Sequence, residues 1–577
     1  MHSVTAGVSL PGVNDGAANE NLGVDVCHQI RNSSFRVLAL EFQRLPLSSA
    51  SCNVWTEHGA VGVICYQVGS HSECIMIVTR ICLIVFAIGF ARCSQLKASE
   101  QPNVLFIAVD DLNDWVGCLG GHPQADTPHI DELARRGVLF SNAHCAAPAC
   151  TPSRASLFTG QMPQSTGVWS NDGPKLMRLR RNAFLLPDSF TRAGYRTLGT
   201  GKLGPSKSCF QTYFDVHQRW SPLSSEAVEY TAAELPSKGT DNPRHVVKLR
   251  NQQYVLPLNR MPSDRTPADP KGESFDWGPF DVPDADFGDT QITDWAIEQL
   301  QGASPKPLFL AVGYYRPHQP LWAPKRFFER FRDKPAILPS VLQEDLDDLT
   351  NDARKWATEP VTSGSHQTVI KFGQWQAAVE AYLACVSYAD HEIGRLLAAL
   401  DASAVADNTL IVLWSDHGWH LGEKQHWGKW TGWERSTRVP LIIVPPRSSR
   451  RAFSKAGRRC DRPVNLIDVY PTLIELCGLE SPPHQLDGGS LLPLLKAPDS
   501  AWKRNSVTMF GPGNGSLRTT RWRFICYANG AEELYDLKND PHEWVNLAGQ
   551  ARYQDLLENL RSHIAPYLVD SATPATK

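Results

Sequence analysis

The chain has almost no excess charge of either sign: 57 Lys and Arg face 60 Asp and Glu, a formal net charge of -3. That balance gives no argument for a nucleic-acid partner. The apolar run Ile81 to Phe90 falls well short of the roughly 20 residues a membrane-crossing helix needs. No repeat recurs at a fixed period, which argues against a solenoid or propeller. A dense disulfide framework is missing too. Six of the 14 cysteines lie at or before Cys93, and Cys118, Cys145, Cys150, Cys209, Cys385, Cys460, Cys477 and Cys526 are widely scattered. That spread is unlike a small stapled scaffold and leaves room for one or two bridges at most.

What is present fits a large globular protein. The 577 residues exceed one minimal core, and 42% hydrophobic with 20% charged residues is ordinary. Of the 17 tryptophans, packing accounts for most, with some expected in a carbohydrate-type cleft. Met76 to Arg80, the apolar run Ile81 to Phe90 and the small and polar residues toward Ala98-Ser99 read as a signal peptide over 76–99. Residues 1–75 show weak periodicity and read as a gene-model extension, with a mature chain starting near 94–100.

From Gln101 onward the pattern is regular. Val104 to Val109, Leu308 to Val312, Leu410 to Trp414 and Leu441 to Val444 are continuous apolar runs of the kind that form buried strands. Thr127 to Gly137 carries a cap, an early proline and a terminal glycine, and Gln374 to Leu400 has an apolar stripe; both read as helices. Alternating buried strands and helices predict an α/β fold with a parallel or mixed sheet covered on both faces. Residues 100–446 read as the catalytic domain, 447–462 as a basic connector and 463–577 as a smaller α+β subdomain.

Asp110-Asp111 and Asp416-His417 follow two of these strands directly, where such sheets bind ligands. Adjacent buried acids repel unless a cation lies between them, and oxygen-rich clusters favour calcium or magnesium. Cys150-Thr151-Pro152-Ser153-Arg154 can begin a helix, placing the thiol in a field that favours an anion and Arg154 on the same face. Lys202 follows the predicted strand Tyr195 to Leu198, Lys429 lies in His426-Trp427-Gly428-Lys429-Trp430, and His318 is fixed between Pro317 and Pro320.

The spacing Cys150-x-Pro152-Ser153-Arg154, followed by Thr159-Gly160, resembles the signature of the type I, formylglycine-dependent sulfatases. The resemblance runs over nearly all of 101–550 and leans toward the iduronate-2-sulfatase-like branch. It includes Asn103 to Asp111, Gly201-Lys202, Ala311 to His318, Ser415 to Trp419 and Leu534 to Leu537 with Asp540-Pro541. It implies an alkaline-phosphatase-like fold and a maturating enzyme, formylglycine-generating or anaerobic, that converts Cys150. It further implies that Asp110, Asp111, Asp416, His417 and the modified Cys150 hold one calcium ion. Arg154 steadies the aldehyde hydrate, Lys202 and Lys429 bind sulfate, and a protonated His318 faces the leaving oxygen. The substrate is then a sulfated small molecule or glycan, met in an exported, periplasmic or lysosome-like compartment. One departure stands out: Lys202-Leu203-Gly204-Pro205-Ser206 lacks the histidine the branch carries there, and Gly515 stands where another is expected. His217 or His245 could substitute. The same ligands suit a phosphodiester or phosphonate, and the missing histidine leaves open a non-catalytic binder of sulfated glycans.

Overall fold

The computed structural model describes residues 52–57, 60–65, 101–215, 228–231, 244–249, 251–261, 274–302, 304–359, 364–453 and 456–568. The chain forms two units, Met1–Ser99 and Glu100–Lys577. In the first, strand Cys52–Glu57 pairs antiparallel with Ala60–Cys65. The sequence reading expects no element there. The β-branched Val54, Thr56, Val61 and Val63 account for the pairing. The predicted signal segment 76–99 lies outside the described residues.

The second unit is built on a mixed sheet. Its strands are β1 (Asn103–Val109), β2 (Val138–Phe140), β3 (Arg196–Gly201), β4 (Thr212–Phe214), β5 (Leu308–Tyr314), β6 (Thr409–Ser415), β7 (Leu441–Val444) and β8 (Arg458–Cys460). Their spatial order is β8-β2-β7-β6-β1-β5-β3-β4. Strand β7 runs antiparallel to both neighbours; the other pairings are parallel. Within the basic stretch 447–462, Arg458–Cys460 is thus the edge strand of this sheet.

Both faces are covered, which explains why the strands read as unbroken apolar runs. Leu105, Ile107 and Val109 of β1 point into one core. Helices α1 (Pro128–Arg136), α4 (Gly288–Gln301) and α5 (Trp375–Asp401) cover that face. Val104, Phe106 and Ala108 point into the other, with α2 (Cys150–Thr159) and α6 (Val469–Cys477). Phe106 sits there among Phe158, Phe309 and Trp414, at centroid distances of 6.1, 5.8 and 5.5 Å. Helix α3 (Pro174–Asn182) adds Leu176 and Leu179 to the same core. A separate antiparallel sheet follows: β9 (Ser506–Gly511), β10 (Asn514–Arg518), β11 (Trp522–Cys526) and β12 (Glu532–Asp536). Helix α7 (Gln554–Leu568) packs on it. The eight described cysteines after Cys93 are all free, so the bridges left open by sequence do not form among them. Among the described residues no helix is long and apolar enough to cross a membrane.

Register places the loops. Val109 lies opposite Ser415 and Tyr314, and Gly313 opposite Gly201, so β6, β1, β5 and β3 end level with one another. The last two approach so closely that a Cβ on Gly313 would lie 2.0 Å from the Lys202 carbonyl oxygen. Gly201 is also left-handed, with φ 73°, a conformation that glycine adopts at little cost. Gly313→Ala is therefore expected to force the two strand ends apart and destabilise the protein by about 1–3 kcal/mol, as overpacking does. Urea denaturation checks it; an unchanged midpoint would contradict the close approach.

Candidate active site

Because β1 and β6 are paired in register, the residues after them come out side by side. Asp110 and Asp111 follow Val109, and Asp416 and His417 follow Ser415. The Asp111 amide donates to Asp416 Oδ1 at 3.1 Å, and the Leu112 amide to Ser415 Oγ at 3.0 Å. Asp111 is left-handed at φ 59°, a costly geometry for a residue with a Cβ. Tyr382 of α5 holds that bend: its hydroxyl donates to the Asp111 carbonyl at 2.8 Å and accepts from the Asn113 amide at 3.0 Å. Sequence reasoning passed over Tyr382, since a tyrosine on the apolar stripe of a helix reads as core.

Cys150 is the first residue of α2, and the helix is tied to β6 by Ser153 Oγ donating to the Asp416 carbonyl at 2.5 Å. Asn171 Oδ1 accepts from the Thr151 amide at 3.1 Å. One turn on, Arg154 is 3% exposed. Its Nε donates to Asp416 Oδ2 at 2.9 Å and Nη2 to Asp110 Oδ1 at 3.0 Å. Nη1 donates to the carbonyls of Lys202 and Leu203 at 2.6 and 2.7 Å. Helical spacing does put Arg154 on the face of Cys150, but its donors join the two acidic strand ends to the loop after β3.

The two predicted lysines close the ring. Lys429 Nζ lies 2.9 Å from both Cys150 Sγ and Asp111 Oδ1 and 3.5 Å from His417 Nε2. Lys202 Nζ pairs with Asp110 Oδ2 and lies 3.5 Å from Cys150 Sγ. His417 Nε2 is 3.4 Å from the same sulfur, with Nδ1 on the Gly418 carbonyl at 2.9 Å. His318 Nδ1 faces the Gln319 carbonyl, while Nε2 stands 3.9 and 3.8 Å from the carboxylates of Asp110 and Asp111. All nine residues singled out from sequence therefore meet around one point.

The electrostatics are those of a buried cluster in which three carboxylates face three cations. Burial works to raise Asp110, but Lys202, His318 and Arg154 outweigh it and hold the carboxyl well below the usual range. Burial pushes Asp111 up to about 7, with Lys429 offsetting part of that and Asp110 adding to it. For Lys429, Asp111 and then Cys150 overcome the effect of burial and raise the ammonium above its ordinary value. Burial, then the charge of Lys202, drives the His318 imidazole well below its ordinary value. That pull favours the neutral ring, so the protonated His318 implied by the resemblance would form against it.

Asp111 Oδ2 is buried and has no hydrogen-bond partner, a costly arrangement unless something positive takes it. One ligand atom from each of Asp110, Asp111, Cys150, Asp416 and His417 lies within 4.8 Å of the others. This donor set, dominated by carboxylate oxygen, fits a divalent cation.

Beside the cluster opens a cavity of about 280 Å³, lined by Cys150, Lys202, His318, Arg180, Lys207 and Tyr213 among others. No tryptophan lines it among the described residues, so the expected aromatic cleft is formed in this part by Tyr213 and Tyr315. Where a histidine is missing after Lys202, a Cβ on Gly204 would meet the Phe158 ring at 3.0 Å, and the loop has little room there. His217 and the side chain of His245 lie outside the described residues. Gly515 lies in β10, where a Cβ would press on Ile564 and Met509.

Comparison with known proteins gives this geometry a family. The sequence model described as Sulfatase matches residues 102–479, and one described as N-sulphoglucosamine sulphohydrolase, C-terminal, matches 422–569. The chain belongs to the sulfatase family. A sulfatase of Formosa agariphila is 33% identical over 81% of this chain and 87% of its own length. Human iduronate 2-sulfatase is 32% identical over 70% of this chain and 74% of its own. The solved structure of a phosphonate monoester hydrolase from Silicibacter pomeroyi superposes with a TM-score of 0.63. It has 22% identity, covering 82% of this chain and 96% of that one. The fold is the alkaline-phosphatase-like one, and the sulfatase is a sulfuric-ester hydrolase.

The Arg154 bridge is open to direct test. Removing one partner of a buried ion pair costs about 3–5 kcal/mol, because the remaining charges stay buried. Arg154→Ala, unfolded by urea in the presence of chelator, should lose stability of that order. A loss under about 1 kcal/mol would mean that Asp110 and Asp416 find other partners.

Proposed function

We propose that this sulfatase releases inorganic sulfate from a sulfated saccharide, using formylglycine at position 150 and a calcium ion held by Asp110, Asp111, Asp416, His417 and residue 150. The observation that carries the reading is the convergence of those five ligand atoms within 4.8 Å, with two lysine ammonium groups on the sulfur of Cys150. Saccharide is favoured by the likeness to iduronate 2-sulfatase.

Each residue has a physical task in this reading. Cations fixed in advance around the reacting group are the largest contribution such a site makes to catalysis. Lys202 and Lys429 are placed to hold the sulfuryl oxygens as charge builds on them. Arg154 holds the carboxylates of Asp110 and Asp416 in place through Nη2 and Nε. His318 is turned by the Gln319 carbonyl so that Nε2 is the atom that moves a proton to the leaving oxygen. Converted to formylglycine by a maturating enzyme and hydrated by one water, residue 150 would offer two hydroxyls on one carbon, a nucleophile toward sulfur and a second group that would let sulfate leave. When bound, the cation supplies charge neutralisation and lowers the pKa of a hydroxyl beside it. The pattern at 76–99 favours export, with a mature chain beginning near 94–100, where the compact unit Glu100–Lys577 also starts.

Protein from its native host should give a tryptic peptide across residue 150 with the mass of formylglycine, and Cys150→Ala should lose sulfate release by roughly 10³-fold or more. An unmodified thiol in that peptide would instead support a glycan binder. Comparing kcat/KM for a sulfate and a phosphodiester of one phenol separates the reading from phosphodiester or phosphonate hydrolysis; a preference for phosphorus would overturn it. For the metal, calcium added to chelated protein should raise Tm through binding to the folded state. Asp416→Asn should lose that rise, and an equal rise in both proteins would place the ion elsewhere.

A further inference from the structure

The cavity beside Cys150 has more positive charge than cleavage of one sulfate needs. Among its described lining residues are Arg154, Lys202, Arg180 and Lys207, and no carboxylate. Two of these are committed: Arg154 to Asp110 and Asp416, and Lys202 to Asp110. Lys207 pairs with Asp215 across an exposed contact, worth little and easily exchanged for another anion. Among the described residues Arg180 has no carboxylate within 4.0 Å, and its side chain makes one hydrogen bond, Nε donating to the Pro205 carbonyl at 2.7 Å.

That single bond aims the side chain. It holds the guanidinium against Lys202–Pro205, the loop whose Lys202 and Leu203 carbonyls accept from Arg154. The two terminal nitrogens of Arg180 stay available as a fork, the geometry that pairs with a carboxylate or sulfate in a bidentate way. The other arginines near the end of α3 behave differently. Arg181 turns back to the Met177 carbonyl of its own helix, and Arg178 lines a separate cavity with His484. Lys202, Lys429 and His417 reach the sulfur of Cys150; Arg180 lines the same cavity from the Pro205 end of the loop. The anion it meets is therefore carried by the part of the substrate that does not react.

We infer that Arg180, assisted by Lys207, is a specificity-determining residue that binds a second anionic group on the substrate, so that the preferred substrate is a sulfated sugar also bearing a carboxylate or another sulfate. The inference rests on the sulfatase reading above and adds the class of sugar to it.

The test uses the full chain with residue 150 matured. Sulfate release is measured on 4-nitrophenyl sulfate, a monosulfated neutral disaccharide, a sulfated uronate disaccharide and a disulfated hexosamine. Wild type should favour one of the last two by kcat/KM over the neutral disaccharide, and which of them it favours tells carboxylate from sulfate. Arg180→Gln keeps a donor for the Pro205 carbonyl but drops the charge. It should lower the ratio of kcat/KM, doubly anionic over neutral, by roughly 10- to 100-fold, mostly through KM. Lys207→Gln should lower the same ratio by less. Equal losses on all four substrates would make Arg180 a tether for the loop and overturn the inference. So would turnover of 4-nitrophenyl sulfate with no preference among the sugars, which leaves the sulfatase reading standing. No release from any of the four overturns both.

Discussion

Three carboxylates buried at one point repel each other, and the site exists because the Arg154 guanidinium bridges two of them. Asp110 and Asp416 end neighbouring strands, so backbone pairing has already brought their charges together. Neither can retreat to water, since both are fully buried. Arg154 meets one with Nη2 and the other with Nε, and spends Nη1 on the carbonyls after β3. A single planar group thereby fixes the relative positions of β1, β6 and the Lys202 loop. A lysine could not do so, having one nitrogen and no fixed fork.

One carboxylate oxygen is left without a hydrogen-bond partner, and that is where function enters. Asp111 takes Lys429 on Oδ1, but Oδ2 remains buried without a partner, and burial lifts the carboxyl to about 7. Structures seldom leave such an oxygen orphaned. Its backbone is also left-handed and pinned by Tyr382. Cost of this kind, concentrated at one residue, belongs with ligand binding more than with stability. On the open side the balance is reversed. The cavity walls carry cations without carboxylates, so a single site presents a negative floor suited to a cation and a positive rim suited to an anionic substrate.

Much of this was legible in sequence because the sheet is covered on both faces. Buried strands appear as unbroken apolar runs, and the acids after Val109 and Ser415 mark where they stop. The start of helix α2 was readable from Cys150-Thr151-Pro152, and α5 from its stripe. Other features left little trace. Arg458–Cys460 looked like a charged connector because an edge strand of three residues has no period to detect. Tyr382 looked like core because its ring is core and only its hydroxyl acts. The two strands before residue 66 were missed because six-residue strands with mixed faces give a weak signal.

The chain's one-dimensional order settled which residue types follow which strands, since local periodicity and strand-end chemistry depend on near neighbours alone. It also named the acids, the histidine, the thiol and the three cations that meet at the centre. Folding alone decided the roles that depend on distance. Arg154 clamps the acids, because their carboxylates came within reach from positions 44 and 262 residues away. His318 is pulled toward the neutral ring, because burial and Lys202 act on it through space. Arg180 turns toward the cavity, because the Pro205 carbonyl is where its helix meets the loop. Charge acts across space, and only the folded chain determines which charges are close.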